Sequence, residues 1–219
     1  LLTSRIVLIH AVKMAINPIT ASFQSHWPEA ELVNLLDDSL SKDRAASKQL
    51  NKNMIDRFSC LGKYAVSIKA DGILFTCSAF GPAIEAVAQE HTIPILKPNE
   101  AMFAMASKIG GKIGMLVTFK NSIQSMTQEF EHMVDNNEAK VVLRTQLVED
   151  AMELLNQSNI ESHNKLLVKH AKTMVDCNAI MLAQFSMAIA YDAINKQINV
   201  PILTAPGAAV KLLKKLVLK

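Results

Sequence analysis

An internal repeat constrains the fold of this chain more than any other feature of its sequence. Residues 71–102 align with residues 178–209 without a gap, at an offset of 107 (178 minus 71). The same offset places Arg5 on Lys112, at the first apolar run of each half, so one register holds over two separate stretches. The repeat predicts two similar lobes related by a pseudo-twofold axis, with an active site in the cleft between them.

Apolar runs of strand length alternate with helical patterns along the whole chain. Strands are predicted at residues 5–11, 31–36, 73–75, 93–96, 112–118, 139–146, 179–183 and 200–204. Residues 41–69 predict a single helix, and residues 150–176 predict a helix that is broken near its middle. This alternation predicts an α/β fold in which each lobe is a mainly parallel sheet flanked by helices. We expect an N-terminal lobe of residues 1–98 and a C-terminal lobe of residues 99–219, with the final helix packed on either one.

Composition and cysteine usage disfavour several classes of protein. The chain has 219 residues, half of them hydrophobic and a fifth charged, and its net charge of +3 is too small to indicate a nucleic-acid partner. No apolar run approaches the roughly 20 residues of a membrane span, so no membrane partner is expected. The three cysteines are widely spaced, which disfavours disulfides and predicts a reducing compartment, the cytoplasm. No CxxC or HExxH spacing occurs, so no metal site is expected.

The stretch around Cys77 has the pattern of a ligand site. The apolar run 73–75 is followed by Thr76, Cys77 and Ser78, and Pro82 then begins a helical pattern. A buried strand that ends in polar residues places them at the carboxyl edge of a sheet, where open α/β folds bind ligands. The free amides of the following helix are expected to lower the pKa of the Cys77 thiol and make it a usable base or nucleophile. The alternative is that Cys77 is a small buried apolar residue.

These residues resemble the aspartate/glutamate racemase superfamily, which includes hydantoin racemases, maleate isomerases and arylmalonate decarboxylases. The resemblance is carried by residues 71–78 (DGILFTCS), 179–184 (AIMLAQ) and 200–203 (VPIL), and it covers nearly the whole chain. It implies chemistry at a carbon next to a carboxylate without a cofactor, pyridoxal phosphate included. In that family two cysteines flank the carbon, one removing a proton and the other returning one to the opposite face. Here Gln184 stands where the family usually has the second cysteine.

The strand ends and the resemblance together indicate which groups would hold a small carboxylate-bearing substrate. Preorganised donors that stabilise an enolate-like transition state usually contribute more to such catalysis than any other effect. The candidate substrate-binding residues are Thr76, Ser78, Thr118, Ser122, Gln184, Ser186 and His10, with Cys77 as the catalytic thiolate. The alternatives are that Ser122 caps a helix and that His10 is a strand-end residue bonded to a loop carbonyl.

Three functions remain open, because an amide cannot do the work of a second thiol. The leading hypothesis is a cofactor-independent racemase-type isomerase of an aspartate, glutamate or hydantoin type of substrate, with Cys77 as the base. The second is a one-cysteine decarboxylase or cis–trans isomerase of a small dicarboxylate. The third is a non-catalytic relative that binds carboxylates. Relatives often form dimers, so a homodimer is one further expectation.

Overall fold

The protein, here as a computed structural model, contains two four-stranded sheets in which every neighbouring pair of strands is parallel. The structure describes residues 3–47, 49–136 and 140–219. The chain forms two compact units, which are Leu1–Pro98 with Pro206–Lys219, and Asn99–Ala205. Helices flank both sheets, which confirms the predicted α/β class.

The first sheet has the strand order β2-β1-β3-β4. Its strands are β1 (Arg5–His10), β2 (Glu31–Leu36), β3 (Gly72–Phe75) and β4 (Ile95–Leu96). The helices that connect them are α1 (Ile16–His26), α2 (Ser39–Ala46), α3 (Lys52–Ser67) and α4 (Gly81–Glu90). All four residues of β3 are buried, as expected for a parallel strand that is covered on both faces.

The second sheet repeats this order as β6-β5-β7-β8. Its strands are β5 (Gly111–Val117), β6 (Val141–Leu147), β7 (Ala179–Leu182) and β8 (Ile202–Thr204). The helices of this unit are α5 (Glu100–Ile109), α6 (Ile123–Asn136), α7 (Ala151–Asn156), α8 (Ile160–Ala171) and α9 (Tyr191–Asn195). The core under this sheet includes residues from β7 and α8, such as Ile180 and Leu167, both fully buried.

Strand pairing confirms the internal repeat. Ile6 of β1 pairs with Gly72 of β3, and Ile113 of β5 pairs with Ala179 of β7, so both partners move by the predicted 107 positions. The β3–β4 and β7–β8 pairs keep the same offset. The two carboxyl edges therefore carry equivalent positions, and Cys77 corresponds to Gln184.

The last helix, α10 (Ala205–Val217), packs on the first sheet. A Cβ atom added to Gly72 would lie 2.9 Å from Val217 Cγ2 and 3.1 Å from Leu213 Cδ1, so only glycine allows this close approach. The Lys214 ammonium lies 5.9 Å from the centre of the Trp27 ring, which adds a cation–π contact to the residue that follows α1.

Two helical predictions can be compared with the structure. The single helix expected over residues 41–69 is wrong: α2 and α3 are separate, because Asn51 caps α3 by accepting a hydrogen bond from the Met54 amide at 3.0 Å. The break expected within residues 150–176 is confirmed by the gap between α7 and α8. Among the described residues, no helix is long and apolar enough to cross a membrane.

Candidate active site

The carboxyl edge of the first sheet carries a hydrogen-bonded chain of three polar side chains, two of which are buried. The pairing of Ile9 with Phe75 places the next residues, His10 and Thr76, side by side. His10 Nδ1 lies 2.8 Å from Thr76 Oγ1, and His10 Nε2 lies 2.9 Å from Asn34 Oδ1 of β2. His10 has no exposed surface and Thr76 is 4% exposed, so both ring nitrogens are occupied inside the sheet edge.

The protonation of this chain follows from its surroundings. Burial lowers the pKa of His10, which keeps the imidazole neutral at pH 7. Because Asn34 Oδ1 can only accept, His10 carries its hydrogen on Nε2 and accepts the Thr76 hydroxyl hydrogen on Nδ1. Thr76 then presents an oxygen lone pair, rather than a hydrogen, to anything that binds beside it. His10 itself has no exposed surface, so it influences a molecule bound at this edge through its hydrogen bond with Thr76.

Cys77 follows Thr76 directly and is partly exposed. Burial of the thiol raises its pKa to about 11, although the Ala79 amide and the Arg44 guanidinium both act to lower it. The predicted lowering of this pKa is wrong, because the free-energy cost of burying a thiolate exceeds the stabilisation that the Ala79 amide and Arg44 give to it. A 3-10 turn, Ser78–Phe80, also separates the thiol from the first turn of α4. Cys77 is therefore a thiol at neutral pH.

Arg44 is a member of this edge that the sequence reasoning missed. It lies on α2 with only 6% of its surface exposed. Its Nε donates to the Ala79 carbonyl at 3.2 Å, and its Nη1 donates to the Ser47 carbonyl at 2.9 Å. The sequence spacing could have indicated this position, because Arg44 follows the buried Leu40 by one helical turn and therefore lies on the same inward-facing side of α2.

The carboxyl edge of the second sheet carries a different polar cluster, centred on Gln184. The Gln184 Oε1 accepts from the Thr118 amide at 2.9 Å and from the Thr118 hydroxyl at 3.3 Å. The Gln184 Nε2 donates to Ser122 Oγ at 3.0 Å and approaches Met126 Sδ at 3.7 Å. Both ends of the amide are thus engaged by residues of the same unit.

The hydroxyls of this second cluster are buried. Ser122 has no exposed surface and donates its hydrogen to the Phe119 carbonyl at 2.7 Å, the local bond expected of a turn residue. Thr118 is 8% exposed, and Ser186, in the turn after Gln184, is 3% exposed. The polar atoms of this edge are therefore largely shielded from water.

The structure groups the predicted site residues into two sets. His10, Thr76, Cys77 and Ser78 belong to the first sheet edge, and Thr118, Ser122, Gln184 and Ser186 belong to the second. That both sets hold one substrate stays a prediction. Within the part of the chain that the structure describes, no three histidine, cysteine or acidic side chains come together in a way that could hold a metal ion.

A family profile described as Asp/Glu/Hydantoin racemase matches residues 15–215 of the chain. No curated protein sequence gives a significant match. The match to the profile spans most of the chain and includes Cys77 and Gln184, whereas β1 with His10 lies before its first residue.

Solved structures share the fold over almost the whole chain. Glutamate racemase from Francisella tularensis, solved in complex with D-glutamate, is 16% identical with a TM-score of 0.72, over 99% of this chain and 81% of its own. Allantoin racemase from Klebsiella pneumoniae is 16% identical with a TM-score of 0.71, over 99% and 88%. A glycine-to-cysteine mutant of arylmalonate decarboxylase is 12% identical with a TM-score of 0.64, over 97% and 93%. At these identities the likeness shows the fold alone.

Proposed function

Because the chain belongs to the Asp/Glu/hydantoin racemase family, we propose that it transfers a proton at a carbon next to a carboxylate, with Cys77 carrying the proton. The family and the racemase neighbours support an isomerase. The observation that carries the finer proposal is the place of Cys77, a partly exposed thiol two residues beyond β3. That carboxyl edge is where α/β sheets bind their ligands.

The proposed chemistry uses one thiol, since the equivalent position holds an amide. A carboxamide does not exchange its protons with a carbon acid near neutral pH, and both ends of Gln184 are already bonded to Thr118 and Ser122. Gln184 therefore supports the geometry of its own sheet edge. In a one-thiol isomerase, Cys77 removes the α-proton as thiolate. Return of a proton from the same thiol restores the starting configuration, so isomerisation requires water to protonate the opposite face of the carbon. The hydroxide formed then takes the proton from Cys77, which restores the thiolate.

The substrate class is proposed from the family and from the groups beside Cys77. It is a small carboxylate of the aspartate, glutamate or hydantoin type, whose enolate-like transition state needs nearby hydrogen-bond donors. The Ala79 amide acts on the thiol itself, and Ser78 lies in the same turn. The net charge of +3 fits a small ligand rather than a polyanion.

One observation favours a second candidate, a one-cysteine decarboxylase of a small dicarboxylate. With a pKa of about 11, Cys77 is ready to donate a proton and is not ready to accept one. Loss of carbon dioxide from a substrate leaves an enolate, which takes the thiol proton onto carbon. The thiolate then regains a proton from water. An arylmalonate decarboxylase is among the structural neighbours.

The experiment is proton exchange in heavy water. The wild type, Cys77→Ala and Cys60→Ala are incubated with aspartate, glutamate, a hydantoin, a malonate and maleate, and the α-proton signal is followed by NMR. Cys60 is exposed on α3 and serves as the matched cysteine control. We expect exchange by the wild type and by Cys60→Ala, and a loss of at least 100-fold in Cys77→Ala, the usual scale of a proton-transfer group.

The outcomes separate the candidates. Exchange without carbon dioxide release supports the isomerase, whereas carbon dioxide release with one deuterium incorporated supports the decarboxylase. Exchange that persists in Cys77→Ala contradicts the role of Cys77 in either reaction. If none of these acids is turned over but some raise the melting temperature, the third hypothesis, a non-catalytic carboxylate-binding relative, is favoured.

A further inference from the structure

We propose that Arg44 is a positioning residue for Cys77, which holds the turn after β3 in place and stabilises the Cys77 thiolate as it forms. This inference rests on the proposed function, in which the Cys77 thiol ionises during each turnover. It assigns a role to a charged side chain that lies 33 positions earlier in the sequence (77 minus 44) and on a different element.

A hydrogen bond joins Arg44 to the turn that follows Cys77. Arg44 Nε donates to the carbonyl of Ala79, two residues beyond Cys77, at 3.2 Å. A second bond, from Nη1 to the Ser47 carbonyl, fixes the guanidinium to the end of its own helix. The planar fork of arginine is thus anchored on both sides, which a lysine cannot reproduce. The turn that carries Cys77 is held to α2 through this contact.

Arg44 also carries a positive charge that interacts with the thiol. A guanidinium stays protonated over the whole range in which a thiol titrates. Arg44 is 94% buried (100 minus 6), so water screens its field less than it would at the surface. Its effect on the pKa of Cys77 acts in the same direction as that of the Ala79 amide and is the smaller of the two. The electrostatic interaction between Arg44 and Cys77 favours the charged form of both groups. When Cys77 ionises, the positive charge of Arg44 is therefore already in position to stabilise the thiolate.

Among the described residues, the other groups that act on the pKa of Cys77 carry no net charge. From β1 the nearest titratable group is His10, which is neutral and bonded to Thr76. From its own turn Cys77 meets the Ala79 amide, a dipole without net charge. Among the described residues, Arg44 is the one charged side chain that acts on the pKa of Cys77. Burial raises the pKa of Cys77, whereas Arg44 lowers it. Removal of Arg44 should therefore raise this pKa further.

The test measures ionisation of Cys77 directly and needs no turnover. The wild type, Arg44→Met and Arg44→Lys are treated with iodoacetamide between pH 8 and 10.5, and alkylation of each cysteine is followed by peptide mass spectrometry. Exposed Cys60 is the internal reference for reagent reactivity in the same tube. Arg144→Met, which removes one positive charge from the second sheet, is the matched control. Circular dichroism and thermal melting check that each variant is folded.

We expect Cys77 to be alkylated at least tenfold more slowly in Arg44→Met than in the wild type at pH 8. A tenfold change corresponds to a rise of one unit in the pKa of Cys77. Arg44→Lys keeps the charge but not the two anchoring bonds, so its Cys77 alkylation rate is expected to lie between those of the wild type and Arg44→Met. Arg144→Met is expected to leave the Cys77 profile unchanged.

A folded Arg44→Met with the wild-type profile overturns the proposal. If Arg44→Met does not fold, Arg44→Lys decides: a folded lysine variant that loses Cys77 ionisation overturns the role of the charge. Failure of proton exchange with an intact alkylation result would instead overturn the proposed function alone.

Discussion

His10 Nδ1 lies 2.8 Å from Thr76 Oγ1, and the pair is buried at the carboxyl edge of the first sheet. The equivalent pair on the second sheet, 107 positions later, is Val117 and Ala183. One edge therefore has a hydrogen-bonded pair where the other has apolar side chains. The repeat duplicates the strands, but the chemistry of the two edges has diverged.

Replacing His10 by Leu is expected to lower the free energy of unfolding by about 1–3 kcal/mol, because it leaves the buried Thr76 hydroxyl without its imidazole partner and removes the bond to Asn34. Urea unfolding at pH 7.5 measures this. His132→Leu is the control, since that histidine is exposed on α6 and its loss should stay within about 0.5 kcal/mol. Equal effects of the two substitutions would contradict a structural role for the His10 network.

Stability is expected to fall between pH 7.5 and 5.5. Burial lowers the pKa of His10 and of His163 below their ordinary value, so in this window the unfolded chain binds more protons than the folded one. The free energy of unfolding therefore rises with pH, by at most about 1.4 kcal/mol per pH unit for each histidine. His170 contributes in the same direction. Urea unfolding of wild type and His163→Leu at both pH values tests this, because the variant should lose less stability on acidification. An identical loss of stability on acidification in both proteins would exclude His163 as a source of the pH dependence.

The sequence alone was sufficient to locate the eight strands found among the described residues and the edge residue Cys77. Parallel strands buried on both faces are short apolar runs, and such runs are visible without tertiary information. The 107-residue offset also recurs in the strand pairing, because residues at equivalent positions pair with equivalent partners.

The features that escaped prediction depend on tertiary surroundings. The pKa of Cys77 is raised by burial, which local sequence does not report. Arg44 contacts the turn after Cys77 because α2 turns its side chain inward, and the end of α2 before α3 was not predicted from the sequence. Asn34 lies in the middle of an ordinary strand pattern, and only the pairing of β1 with β2 brings it to His10.

The packing of α3 on α4 predicts that Gly62→Ala destabilises the fold. A Cβ atom at this position would overlap Val87 Cγ1, and a β-branched side chain has little freedom to move away. We expect a loss of about 1–3 kcal/mol despite the better helix propensity of alanine. In a Val87→Ala background the same substitution should become neutral or stabilising, as measured by urea unfolding. A loss that persists in that background would point to backbone strain instead of this contact.

Replacing Asn99 is expected to stabilise the fold, in contrast to Gly62→Ala. Asn99 is 1% exposed, and among the described residues neither its Oδ1 nor its Nδ2 has a hydrogen-bond partner. Replacing this amide by Leu, of similar volume, is expected to raise the free energy of unfolding by about 1–2 kcal/mol. Asn53→Leu, at an exposed position of α3, is the control and should change little. A destabilised Asn99→Leu variant would show that the amide is bonded in solution.

Gln184→Cys tests whether the missing second thiol limits the reaction. The substitution removes the bonds to Thr118 and Ser122, so it is expected to cost about 1–3 kcal/mol of stability. Gln184→Ala loses the same bonds without gaining a thiol and is therefore the matched control. With a substrate that exchanges its α-proton at Cys77, Gln184→Cys should raise the rate of inversion relative to exchange, as followed by chiral chromatography and NMR, whereas Gln184→Ala should not. Inversion by the wild type that is already as fast as exchange would show that the missing second thiol does not limit the reaction.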